Sequence, residues 1–145
     1  MSSLRPTIYF SAFSTTGLKP RSGKVDTSFS VRVLVEDSVK TWIVPLKAAT
    51  MNQAALQAVR FGILAIHPEH RENLSIITDS AYVCRVLERK NDKYPFKAES
   101  NVDLIQETRR LFGSAKDATV RLAATDVVVL EMRKKVRDLG KRRLQ

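Results

Sequence analysis

Hydrophobic and polar positions alternate most cleanly in TSFSVRVLV, residues 27 to 35. Phe29, Val31, Val33 and Val35 fall on one face there, with Ser28, Ser30 and Arg32 on the other. A period of two marks a half-buried strand. PTIYFSAF (6 to 13) is rich in β-formers and reads as a first strand, and VKTWIVPL (39 to 46) as a third. The tight turn EDS between the second and third strands predicts an antiparallel hairpin. STTGLKPRSGK (14 to 24) has the Gly, Pro and Ser of a turn or flexible loop.

The period changes at Thr50. TMNQ carries Thr50 and, three residues on, Gln53, the signature of a capping box that opens a helix. Gln53, Gln57 and Arg60 form a narrow polar stripe on an otherwise apolar segment, so this helix is expected to be largely buried and to stop at Pro68. A short apolar run, 74 to 78, predicts a fourth strand. Tyr82, Val83, Val86 and Leu87 recur at helical spacing after it. A third helix over 101 to 113 turns Val102, Leu104 and Ile105 inward with Ser100 as its cap, ATVRLAAT (118 to 125) is a last strand, and a basic helix over about 126 to 145 ends the chain. The order β-β-β-α-β-α-α-β-α predicts an α/β fold, a five-stranded mixed sheet flanked by helices, in one domain spanning 1 to 145.

Charge adds a class of partner. Lys and Arg number 25 against 15 Asp and Glu, a formal net charge of +10. Such a surplus concentrates polyanions around the protein. It is unevenly placed: seven basic residues stand against three acids from Asp126 onward, and Arg5, Lys19, Arg21 and Lys24 precede the first acid, Asp26. RNA or a ribonucleoprotein is the expected partner. The most apolar stretch, AALQAVRFGILAI, is broken by Gln57 and Arg60, so no membrane span and no membrane partner are expected. One cysteine, Cys84, excludes an intramolecular disulfide, suits a packing role and fits an intracellular, cytoplasmic setting.

ITDSAYV (77 to 83) carries the most specific local pattern, with Asp79 where the fourth strand meets a helix. IYFSAFS, TMNQAALQAV and SNVDLIQETRRL add weaker patterns in a consistent order. Together they resemble ribonuclease H of the bacterial and retroviral type over nearly the whole chain. The resemblance implies the ribonuclease H-like fold and a mechanism in which four carboxylates hold two divalent metal ions that cut the RNA of an RNA–DNA hybrid. It places those carboxylates on the first strand, the central helix, the TDS motif and the last helix.

Here the chain departs from the pattern. Ser11 stands at the first position and Ala55 at the second, Asp79 matches the third, and Asp126 or Glu131 is offered for the fourth. One or two carboxylates facing two divalent ions are too few, so the expected site is degenerate, with no catalytic residue, no cofactor and at most a weak single-ion contact at Asp79. Asp79 is then expected to cap the helix that follows it. The alternative is a divergent metal-dependent nuclease acting on RNA–DNA hybrid or structured RNA, using Mg²⁺ at Asp79, Asp126 and Glu131, with Glu36 or Asp37 as further donors.

Candidate nucleic-acid contacts follow from charge and aromatic content. Lys19, Arg21 and Lys24 are in the first loop, and Lys93, Tyr94, Phe96 and Lys97 interleave bases with aromatics in KNDKYPFKAE, a mix suited to single strands. Arg133, Lys134, Arg137 and Lys141 lie on the last helix, where Arg133, Arg137 and Lys141 share a face at four-residue spacing. Asn52 sits where the resemblance implies a contact to the hybrid's minor-groove side. Trp42 is expected in the core rather than stacked on a base. His67 and His70 flank Pro68 and are expected in a solvent-facing loop.

Overall fold

A computed structural model describes residues 5–14, 25–88, 102–123 and 125–143. The sheet runs β1 (Thr7–Ser14), β2 (Val25–Val35), β3 (Ser38–Ala49), β4 (Ser75–Thr78) and β5 (Thr119–Leu122). The helices are α1 (Met51–Leu64), α2 (Ala81–Glu88), α3 (Val102–Ser114) and α4 (Val127–Arg143).

The alternation of β2 decides its register. Phe29 pairs with Ala12 and Val44, and Val31 with Phe10 and Trp42, so their side chains share the face that α1 covers. Strands β1, β2 and β3 form an antiparallel meander closed by the two-residue turn Glu36–Asp37, with Glu36 at φ 54°. Strands β4 and β5 join parallel to β1 through helices, giving the order β3-β2-β1-β4-β5.

The main core lies on the α1 face. Ile8, Phe10, Phe29, Val31 and Val33 meet Leu56, Val59 and Ile63 of α1, Val83 and Val86 of α2, and Ile105 of α3. Ala54, Ala58 and Gly62 recur at four-residue spacing on α1 and are buried, which lets the helix lie close to the sheet. The capping box forms as the sequence indicates. The Gln53 N–H donates to Thr50 Oγ1 at 3.0 Å, and the Thr50 N–H donates to Gln53 Oε1 at 2.9 Å. The polar stripe reaches α3: Arg60 Nε donates to Glu107 Oε1 at 2.7 Å and Arg60 Nη1 to Gln57 Oε1 at 3.4 Å. Trp42 belongs to the core side, edge-to-face with Phe61 at 5.2 Å. His67 and His70 are exposed around a short 3₁₀ turn, and Cys84 is buried on α2.

On the opposite face, α4 packs against β1 and β2 and buries Val129, Met132 and Val136. The positions of β1 and β2 buried on that side are small, Ser11, Ser28 and Ser30. Of the three α3 residues expected to face inward, Ile105 is fully buried, while Val102 and Leu104 are half-buried. Ser100 lies outside the described residues. Among the described residues no helix is long and apolar enough to cross a membrane.

Candidate functional site

Parallel pairing of β1 with β4 brings the two halves of the chain together at one sheet edge. Phe10 pairs with Thr78, so the next residues, Ser11 and Asp79, lie side by side although 68 positions separate them. The Ser11 hydroxyl donates to Asp79 Oδ2 at 3.0 Å. A cleft of about 240 Å³ opens there, lined by Ala12, Met51, Asn52, Ala55, Asp79, Ser80, Ala81, Tyr82 and Arg133. A larger cleft of about 390 Å³ beside β3 is walled mainly by Phe29, Val44, Leu46, Phe61 and Leu64, and it lacks such a gathering of polar groups. The Asp79 cleft is therefore the candidate site.

Asp79 is not a helix cap, which corrects the expectation from sequence. Ser80 holds that role: its Oγ accepts from the Val83 N–H at 3.2 Å, and its own N–H donates to Thr78 Oγ1 at 3.0 Å. Asp and Ser both cap well and stand next to each other, so the local pattern fitted either. The Asp79 carboxylate instead turns toward Ser11. Burial raises its pKa above the ordinary 3.8, while the Ser11 hydrogen bond and the Arg133 charge pull it back down.

These assignments set the expected stability effects. Ser80→Ala should cost about 0.5–2 kcal/mol by removing the cap. Asp79 with a raised pKa binds its proton more tightly folded than unfolded, so its ionisation weakens the fold as pH rises from 3.8 through the folded value. Asp79→Asn should accordingly raise the melting temperature at pH 7 and lose that advantage near pH 3. Thermal melts of both variants across pH check the pair of assignments, and a large loss in Asp79→Asn at pH 7 would contradict them.

The structure brings together three of the four positions singled out by resemblance, because Ala55 and Asp79 line one cleft and Ser11 touches Asp79. Position four does not supply a carboxylate to it. Asp126 caps α4, accepting from the N–H groups of Val128 at 2.9 Å and Val129 at 3.4 Å. Glu131 is exposed on α4 and is not among the lining residues. Glu36 and Asp37 sit in the hairpin turn beyond the Thr7 end of β1, where Glu36 Oε1 is 4.0 Å from His70 Nδ1. That is at least four residues of strand from Ser11, roughly 13 Å. Among the described residues no three His, Cys, Asp or Glu side chains gather to hold a metal.

From α4 the cleft receives Arg133. A hydroxyl, a methyl, one carboxylate and a guanidinium do not fit two divalent cations, whose mutual repulsion requires several anionic oxygens. Sequence reasoning placed Arg133 on an outer basic face and missed its part in the cleft. The available signal was its position one residue after Met132 and four after Val129, which sets it beside the buried stripe of α4.

Asn52 also lines the cleft. Lys134 is exposed on α4, and Arg137 and Lys141 belong to the same helix. Lys19, Arg21, Lys24, Lys93, Tyr94, Phe96 and Lys97 lie outside the described residues.

A meander of three antiparallel strands, two parallel strands added through helices, and a last helix behind the sheet define the ribonuclease H-like fold. Solved structures agree over nearly the full length. The chain is similar to the N-terminal RNase H domain of a Mycobacterium tuberculosis protein, solved as a fusion with maltose-binding protein, at TM-score 0.67 and 15% identity, covering 99% of this chain and 100% of that one. It is similar to the RNase H domain of PFV at TM-score 0.65 and 16% identity, covering 94% and 93%. A third, RNase H1 of the halophilic archaeon Halobacterium salinarum, matches at TM-score 0.63 and 16% identity over 95% and 98%. No family model and no curated protein matches the sequence.

Proposed function

We propose that this chain is a catalytically inactive ribonuclease H-like domain that binds RNA or a ribonucleoprotein through its basic surfaces. The observation that carries the reading is the content of the Asp79 cleft: Ser11 and Ala55 where carboxylates would be needed, and Arg133 facing the one acid that remains. A surface without its acids repels phosphate less. The net charge of +10 and the seven basic residues from Asp126 onward support a polyanionic partner, and the solved structures of similar fold are RNase H domains by name. The single, buried Cys84 suits the intracellular, cytoplasmic setting proposed with it.

Affinity for RNA should then fall steeply with salt, because each phosphate neutralised releases counterions. The slope of log K against log salt is about −0.7 per phosphate for single strands and about −0.9 for duplex DNA. Lys134, Arg137 and Lys141 lie on α4 at spacings of three and four and share one side of it. Changing all three to Gln should flatten the slope by about two units and weaken different sequences alike, as backbone contacts do. Filter binding across a salt series measures this, and an unchanged slope and affinity would remove α4 from the binding surface.

A further inference from the structure

Strand β3 is 12 residues long and stands at one edge of the sheet, and among the described residues only β2 pairs with it. Such an edge is a template for another strand. The two-residue turn makes Val35 and Ser38 the first hydrogen-bonded pair of the hairpin, and bonded and non-bonded pairs alternate from there. Val39, Thr41 and Ile43 fall in non-bonded pairs with Leu34, Arg32 and Ser30, so their N–H and C=O groups point away from β2. Pro45 has the same orientation and no N–H, which ends the stretch able to pair.

Neither side of this edge is covered by the helices. Helix α1 lies over β1 and β2 and barely reaches β3, and α4 packs on β1 and β2 alone. Val39 is 61% exposed and Ile43 36%, both on the α4 side, because they pair with Leu34 and with Ser30 of the buried serine row.

We infer that β3 pairs antiparallel with β3 of a second copy of this chain, about a two-fold axis at Thr41, joining two five-stranded sheets into one. The strand is complementary to itself in that register. Val39 of each copy faces Ile43 of the other and Thr41 faces Thr41, three pairs that exchange two backbone hydrogen bonds each. The exposed valine and isoleucine thereby cover one another. On the α1 side, Lys40 lies beside Trp42 of the second copy, a cation against an indole. Val44 of the second copy comes opposite Ser38, at the cleft of about 270 Å³ lined by Val33, Val35, Ser38 and Trp42. Pro45 stands just outside the paired stretch. The two Arg32 residues are three strand spacings apart, about 14 Å, beyond the screening length of about 8–10 Å in ordinary salt.

The inference is independent of the RNA-binding reading, and salt separates the two. Two copies that each carry +10 repel, so self-association should strengthen as salt rises, whereas RNA binding weakens.

The test is sedimentation equilibrium of nuclease-treated full-length protein over a concentration and salt series. The wild type should form dimers. Val39→Lys/Ile43→Lys sets like charges opposite each other across the axis and should weaken the dimer by more than about tenfold, and Val39→Glu/Ile43→Glu should do the same. An equimolar mixture of the two should dimerise again, because each Lys then faces a Glu. Thr41→Pro removes an outward N–H without breaking a bond to β2 and should also give monomers, with a circular dichroism spectrum like that of the wild type. A monomeric wild type at every salt concentration overturns the inference. Dimers that both double variants leave intact place the contact on another surface and overturn it too. Dimers lost on nuclease treatment are bridged by nucleic acid, which overturns the inference and leaves the RNA-binding reading standing.

Discussion

Ser11→Asp should destabilise the protein by about 3–5 kcal/mol in EDTA, the cost of a buried charge without a partner. Ser11 is fully buried, and its hydroxyl lies 3.0 Å from Asp79 Oδ2, so the new carboxylate would face an existing one inside the sheet edge. Two carboxylates that close cannot both ionise cheaply. Ser11→Asn changes the shape in the same way without the charge and should cost much less. Millimolar Mn²⁺ should recover part of the loss in Ser11→Asp, since a divalent ion that binds only the folded state stabilises it by mass action. The wild type should show no such gain. Urea unfolding in EDTA and in Mn²⁺ provides the comparison, and a Ser11→Asp variant as stable as Ser11→Asn would mean that the two side chains do not face each other.

Gly62→Leu should cost about 3 kcal/mol or more, at the upper end of what overpacking a core does. A Cβ at Gly62 would stand 2.9 Å from Ile8 Cγ2 and 3.0 Å from Ile8 Cδ1, and Ile8 is fully buried under α1. Either the helix lifts from β1 or Ile8 leaves its place, and lifting α1 also disturbs Ala55 at the cleft. Even Gly62→Ala should destabilise, although alanine favours a helix by about 1 kcal/mol over glycine. Gly113 in α3 is the internal control. Among the described residues no atom beyond its chain neighbours and its own helix backbone lies within 4 Å of a Cβ there, so Gly113→Ala should stabilise by up to about 1 kcal/mol. Equal effects of alanine at the two glycines would contradict the close approach of α1 to β1.

What the sequence made legible is what short-range chemistry decides. The capping box at Thr50 and Gln53 closes within four residues, and the alternation from Phe29 to Val35 needs only the pleat of its own strand. Both therefore read correctly. The absence of carboxylates at Ser11 and Ala55 was legible through resemblance; the parallel pairing of β1 with β4 brings Ser11 to Asp79, and α1 places Ala55 in the same cleft. Asp79 and Ser80 could not be told apart as caps, because the group that decides between them, the Ser11 hydroxyl, is 68 residues away. Arg133 was hidden for the same reason. In a run of basic residues each looks like solvated charge, and only the packing of Val129 and Met132 on the sheet carries this one to the cleft. The fourth strand read one residue too long for the ordinary reason that ends are set by hydrogen bonds rather than by periodicity.

The most direct measurement follows one end-labelled RNA, alone and annealed to DNA, through incubation with the protein in EDTA, Mg²⁺ and Mn²⁺, resolved on native and denaturing gels. An inactive RNA-binding domain should retard the labelled strand in EDTA and leave it full length in every buffer. Cleavage of the hybrid that requires Mg²⁺ or Mn²⁺ and disappears in Asp79→Asn would contradict that reading and show that the cleft is a working nuclease site.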